Sequence, residues 1–250
     1  HNSLHSHRTA EVFFVHSGRW RFFWGRYGKA GEVILEKGDI FNIPTGIFRG
    51  FENIGKDYGM IMAILGGDDA GGGVIWAPEV LKEAENHGLV LSEKGKIYDT
   101  KIGQKIPSNE DLMQPLTENE LKKFPEYSSA EVVPNYVARY LDLYSLSQNN
   151  PVIVIGENGK IFDKPGIEVE FITDQSFMNS KNMYEKDVVL MPVEGYWMLN
   201  LETHNLILNP GDTFSLPKNN EYTLNPTKPG MATLYKVIPT NDKPGPTTRK

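Results

Sequence analysis

Two stretches of this chain repeat each other, and that self-similarity limits the fold more than any other feature. EVFFVHSGRW at residues 11–20 returns as VVLMPVEGYW at 188–197, and KGDIFNIPTGIFRGFEN at 37–53 returns as PGDTFSLPKNNEYTLNP at 210–226. Each copy holds a Gly-x-Trp unit and then a Gly-Asp-x-Phe-x-x-Pro unit. Gly18 and Gly38 stand four positions farther apart than Gly195 and Gly211, which one shortened hairpin loop accounts for. Two copies of a strand-and-turn unit indicate a duplicated β architecture, short of the three or more repeats of a solenoid.

The segments around the repeats agree. In residues 1–75, EVFFV, RWRFFWG, GEVIL, DIFNIP and YGMIMAIL are short runs rich in aromatic and branched side chains, separated by Gly- and Pro-containing turns. GGDDAGGG at 66–73 closes this region as a loop. Strand patterns return over 151–239, from PVIVIG to ATLYKVIP. Residues 76–150 differ. APEVLKEAENHG has Pro78 in the first turn of a helix and Gly88 as its stop, and TENELKKF has Thr117 and Glu120 at capping-box spacing. This middle segment reads as a helical and irregular connector packed on a barrel, and residues 240–250 as a disordered tail.

Composition excludes several functions. A formal charge of −6 with scattered Lys and Arg argues against nucleic acid or an anionic membrane as partner, and no apolar run reaches membrane-helix length. The chain has no cysteine, hence no disulfide, thiolate metal site or thiol nucleophile, in keeping with a reducing cytoplasm. No serine sits in a Gly-x-Ser-x-Gly elbow, and the glycine-rich loop lacks the Lys-Ser/Thr of a phosphate loop.

Of six histidines, two lie at His5 and His7, with Glu11 four positions on. Alternation along a regular strand would put all three on one face, where two imidazoles and a carboxylate suit a divalent metal such as Fe, Mn, Ni, Zn or Cu. The bland alternative is a pair of surface histidines near a chain terminus. His16 reads as a rim histidine with its hydrogen bonds satisfied, and as the spare ligand of the set. His87 suits a helix C-terminus, and His204 an exposed hairpin loop. Trp20, Phe22 and Trp24 form an aromatic stripe that fits a barrel core, and Phe13 shares the parity of Glu11, as a pocket wall would.

The full pattern is His-x-His-x3-Glu-x6-Gly from His5 to Gly18, followed by Gly38-x5-Pro44-x-Gly46-x2-Arg49-x3-Asn53. It resembles the two signature motifs of the cupin superfamily, small antiparallel jelly rolls, with Arg49 standing where the family's third histidine belongs. Taken with the repeat, the chain resembles a bicupin. The resemblance implies an all-β fold of two jelly-roll barrels joined by a partly helical connector, the first barrel lacking N-terminal strands. It implies His5, His7 and Glu11 as metal ligands. The second barrel is degenerate, with Asn182, Tyr184 and Val188 in the ligand positions and Tyr222 in that of Arg49. It is expected to be structural or to form an apolar pocket.

Arg49 leaves two arrangements open. It either faces the open side of a three-ligand metal and holds an anionic substrate, or it pairs with Glu11 and leaves a metal-free binding pocket. The first implies a metal-dependent enzyme acting on a small anionic molecule, a dioxygenase-like oxidoreductase before an isomerase or lyase. The second implies a non-catalytic small-molecule binder. The resemblance also allows a homodimer.

Overall fold

The computed structural model describes residues 2–66, 74–161, 165–176, 181–228, 230 and 232–240. The greater part of the GGDDAGGG loop and of the C-terminal tail, and with them Asp68 and Asp69, lies outside the described residues. The first half contains β1 (Asn2–Ser6), β2 (Ala10–Ser17), β3 (Trp20–Trp24), β4 (Gly31–Leu35), β5 (Ile40–Ile43), β6 (Arg49–Asn53), β7 (Met60–Gly66) and β8 (Ile75–Trp76). The middle contains α1 (Pro78–Asn86), β9 (Leu89–Leu91), β10 (Ile97–Asp99), α2 (Glu118–Leu121), α3 (Ser129–Tyr136), β11 (Val137–Ala138) and α4 (Tyr140–Leu146). The last part contains β12 (Val152–Ile155), β13 (Ile167–Thr173), β14 (Val188–Glu194), β15 (Trp197–Leu201), β16 (Asn205–Leu208), β17 (Phe214–Leu216), β18 (Tyr222–Pro226) and β19 (Thr233–Pro239).

The first barrel closes between the sheets β4-β3-β6-β1-β8 and β11-β5-β2-β7. The second closes between β12-β13-β19-β14-β17 and β16-β15-β18. All these pairings are antiparallel, and the protein is an all-β pair of jelly rolls.

The sequence repeat is a repeat of strand register. Trp20 faces Asn53 and Trp24 faces Arg49, as Trp197 faces Pro226 and Leu201 faces Tyr222. His5 pairs with Arg49, and Asn182 bridges Tyr222. The turns repeat as well. Gly38 and Gly211 adopt φ of 85° and 92°, a backbone that a residue with a Cβ rarely takes. Asp39 accepts the Glu36 N–H at 3.0 Å, and Asp212 accepts that of Asn209 at 2.7 Å.

The middle segment is built into the first barrel. The capping boxes Thr117/Glu120 and Ser128/Glu131 start α2 and α3. The second of these, with α4, escaped the sequence reading although Ser-x-x-Glu was its visible signal. Val132 of α3 joins the core of the first barrel, and β11 extends its sheet beside β5. The Trp24 indole N–H donates to the Tyr127 carbonyl at 2.7 Å.

The barrels share a core. On β2, Phe13 and Val15 point into the first barrel with Trp20, Phe22 and Trp24, whereas Val12 and Phe14 pack against Val169, Phe171, Met191, Tyr235 and Val237 of the second. Covered on both faces, β2 is buried from Ala10 to His16, and its middle, Val12–Val15, is a continuous apolar run instead of an alternating one. The Tyr235 hydroxyl seals this junction by donating to the Gly38 carbonyl at 2.6 Å.

Candidate metal centre

The three candidate ligands do not share one strand. His5 is on β1, His7 lies in the turn after it, and Glu11 is on β2 in the opposite sheet. They converge because the chain turns the corner of the barrel between His7 and Ala10, not because of alternation along a continuous strand. One ligand atom from each lies within 4.8 Å of the other two. All three are buried, at 8%, 4% and 7% exposure.

Backbone carbonyls set the histidine tautomers. His5 Nδ1 donates to the Ser3 carbonyl at 2.7 Å and His7 Nδ1 to the Thr9 carbonyl at 2.9 Å. A carbonyl can only accept, so each Nδ1 carries a proton, and in the neutral ring the lone pair is the one on Nε2. Orienting a ligand imidazole through its other nitrogen is what metal sites do. Burial first, and then the Arg49 charge, push the His5 pKa below its ordinary value. Burial pushes Glu11 upward, but the His7 ring beside it and the Arg49 charge outweigh that and hold the carboxyl below its usual range.

Arg49, fully buried at the start of β6, lies against two members of this cluster, Glu11 and His7. Its Nε and Nη2 donate to Glu11 Oε2 at 3.3 and 3.1 Å, Nη1 donates to the Ile47 carbonyl at 3.2 Å, and Nη2 also contacts His7 Nε2. Glu11 Oε2 is 3.4 Å from His7 Nε2. The guanidinium therefore holds lone pairs that a cation would use, and it is paired with Glu11 as in the second arrangement set out above.

The donor set nonetheless fits a divalent ion. Ligand atoms about 2.0–2.2 Å from a shared tetrahedral ion stand about 3.3–3.6 Å apart, so a set now spread over as much as 4.8 Å would draw together by about 1 Å around one. For an ion to sit there, the Arg49 guanidinium would have to leave Glu11 Oε2 and His7 Nε2. His5, His7 and Glu11 would hold the ion.

Residues 1–65 match the family model Cupin_2, a cupin domain. The first barrel is a cupin domain. The cupin motif accounts for 49 contiguous positions from His5 to Asn53, and the pair of barrels is bicupin-like. Among solved structures, the formate complex of the oxalate decarboxylase of Lactobacillus farciminis matches with a TM-score of 0.54 at 14% identity, over 97% of this chain and 74% of that one. A mutant of the Bacillus subtilis oxalate decarboxylase matches at 0.52 and 14%, over 96% and 66%. A mutant salicylate 1,2-dioxygenase of Pseudoaminobacter salicylatoxidans matches at 0.51 and 14%, over 95% and 66%. This chain thus spans about two thirds of the length of the latter two proteins. At such identities the likeness is one of fold. Comparison with curated protein sequences finds no match.

Other histidines sort by their surroundings. His16 is buried outside the cluster, and neither ring nitrogen has a hydrogen-bond partner, so the expectation of a satisfied rim histidine fails. Burial and then Lys37 lower its pKa. His87 caps α1 and bonds Glu83 at 2.9 Å, and His204 is exposed between β15 and β16. Phe13 is core, 4.8 Å from Phe22 between ring centres.

In the second barrel the position of Glu11 is held by Val188, which faces Leu216 as Glu11 faces Ile43. Tyr184 and Tyr222 stack at 6.3 Å. The sequence reading missed Lys236 and Glu170, which point into this barrel beside them. A lone lysine within the apolar strand TLYKVIP was the available signal.

Proposed function

We propose that the first barrel is a metal-dependent centre acting on a small anionic organic molecule, with His5, His7 and Glu11 as ligands and Arg49 as the group that holds the substrate anion. The observation that carries this reading is the pair of Nδ1 protons committed to backbone carbonyls, which leaves the two Nε2 atoms as the candidate ligand atoms beside a buried carboxylate. A bound ion would supply Lewis-acid and redox chemistry at its open positions. The protein's own part is to fix the imidazoles, exclude bulk water and supply one fixed positive charge. Glu11 and Arg49 cancel each other in the pair they now form, so a dication adds two uncompensated charges to a buried site. An anionic substrate restores part of the balance, and the guanidinium, released from Glu11, is free to take it in a bidentate grip. Of the reactions open to such a site, oxidative cleavage of the dioxygenase type is our choice. Absence of cysteine fits a reducing compartment such as the cytoplasm, and among the described residues no helix is long and apolar enough to cross a membrane.

The Arg49–Glu11 pair favours a second reading, a metal-free pocket for an organic anion. Metal analysis of protein purified without chelator separates the two. The enzyme reading expects about one ion per chain, lost in His5→Ala/His7→Ala. Oxygen uptake with a panel of small carboxylates then tests the dioxygenase choice. A protein devoid of metal in both forms leaves the second reading.

A further inference from the structure

The degenerate barrel is not an empty copy of the first. A cavity of about 200 Å³ opens where the metal positions have been lost, lined by Lys236, Glu170, Tyr184 and Tyr222 and by apolar Ile172 and Leu190. This contradicts the expectation of a structural or purely apolar interior. Lys236, on β19, is 5% exposed. Its ammonium is 2.5 Å from the Tyr184 hydroxyl and 2.5 Å from Glu170 Oε2, and lies 4.5 Å from the centre of the Tyr184 ring. Glu170, opposite Lys236 on β13, has a side chain 28% exposed, so it stands at the mouth of the cavity.

We propose that this cavity binds a small organic monocarboxylate, whose carboxylate replaces that of Glu170 on the Lys236 ammonium and accepts hydrogen bonds from the tyrosine hydroxyls. The exchange keeps the buried cation paired, which is the condition for burying it at all. Glu170 loses little, because its partly exposed side chain turns into water. A single cation matches a single negative charge, and a phosphate dianion or dicarboxylate would carry an excess charge into the barrel. The apolar walls accept a short hydrocarbon or a ring beside Tyr184 and Tyr222. Volume sets the size, since drug-sized sites begin at about 300 Å³. Burial raises the Tyr222 phenol, with Tyr184 adding to the effect, so Tyr222 remains a hydroxyl donor at neutral pH. The site is independent of the metal reading of the first barrel.

The test is calorimetric or NMR titration of the chelator-treated 250-residue chain with propionate and benzoate, and with benzamide as the uncharged comparator. Saturable binding of at least one acid is expected, weaker by about 10-fold or more for benzamide and in Lys236→Met, the loss that follows removal of a charged hydrogen bond. Tyr222→Phe, which removes one oxygen and preserves the packing, is expected to weaken binding by about 3- to 10-fold. It decides the matter if Lys236→Met does not fold. His5→Ala/His7→Ala separates the barrels and should bind as the unaltered protein does. The proposal is overturned if neither acid binds below about 20 mM. It is equally overturned if benzamide binds as well as benzoate, if the folded Lys236 and Tyr222 variants bind normally, or if binding disappears only in the histidine variant.

Discussion

The two barrels share a register and differ in where they bury their charge. In the first, the anion is Glu11 on β2 and the cation Arg49 on β6. In the second, those positions hold Val188 and Tyr222, and the pair reappears as Glu170 on β13 with Lys236 on β19. Lys236 faces Leu190 as Ala63 faces Phe13, so the cation of the second barrel stands where the first has a methyl group. One anion with one cation is the arrangement that a barrel interior tolerates, since an unpaired buried charge costs several kcal/mol. The jelly roll does not prescribe which strands supply them. That freedom lets one scaffold hold a metal-type constellation at one end and a lysine–tyrosine cavity at the other.

Glu11→Ala against Glu170→Ala is the sharpest challenge to this comparison. Glu11→Ala strands Arg49 with no exposure and should cost about 3–5 kcal/mol by denaturant unfolding. Glu170→Ala leaves Lys236 bonded to Tyr184 near the cavity mouth, and about 1–2 kcal/mol is expected there. Equal losses would erase the distinction between a sealed pair and an openable one.

Phe14→Ala comes next. This ring fills the junction of the barrels, and its removal should cost about 3 kcal/mol or more. Because β2 serves both cores, unfolding is expected to stay a single transition. Two separated transitions would show that the barrels unfold independently.

A smaller contrast concerns the equivalent turn aspartates. Asp39 is buried and also accepts from Arg139 at 2.8 Å and from the Tyr140 N–H at 2.9 Å, whereas Asp212 is exposed and bonds within its own turn. Asp39→Ala should cost about 2 kcal/mol, and Asp212→Ala about 0.5 kcal/mol or less. Similar values would place the anchoring of α4 elsewhere.

The weakest effect is one of pH. His5 titrates below its ordinary 6.5 in the folded protein, so as pH falls under 6.5 the unfolded chain takes up a proton that the folded one refuses, and stability declines. Glu11, held below its ordinary 4.5, contributes stability above that value and loses it as pH falls through its folded pKa. Asn182 and Val188 hold the matching places in the second barrel, and neither side chain ionises. Hydrogen exchange should therefore loosen the first barrel before the second between about pH 6.5 and 4. His5→Ala should flatten the upper part of that slope, and an unaltered slope would remove His5 from the account.

Much of this was legible in the residues. The repeated Gly-x-Trp and Gly-Asp-x-Phe-x-x-Pro units are local turn and strand chemistry, and each recurs in the structure at matching registers. His5, His7 and Glu11 were recognisable as a set by type and spacing. Less visible were properties that depend on what a strand packs against. His16 looked satisfied, yet burial left it unpartnered. Lys236 and Glu170 are far apart in sequence and meet only because β13 and β19 are neighbours.

The sequence by itself determined the duplicated strand-and-turn pattern, the Thr117–Glu120 helix cap of the middle segment and the histidine–glutamate motif, because each rests on backbone and side-chain preferences within a few residues. Only the tertiary structure decided that Arg49 lies on Glu11, that β2 is buried on both faces and that the second barrel encloses a paired lysine. Those outcomes depend on burial, which makes an unpaired charge costly and so selects partners from strands that the linear order keeps apart.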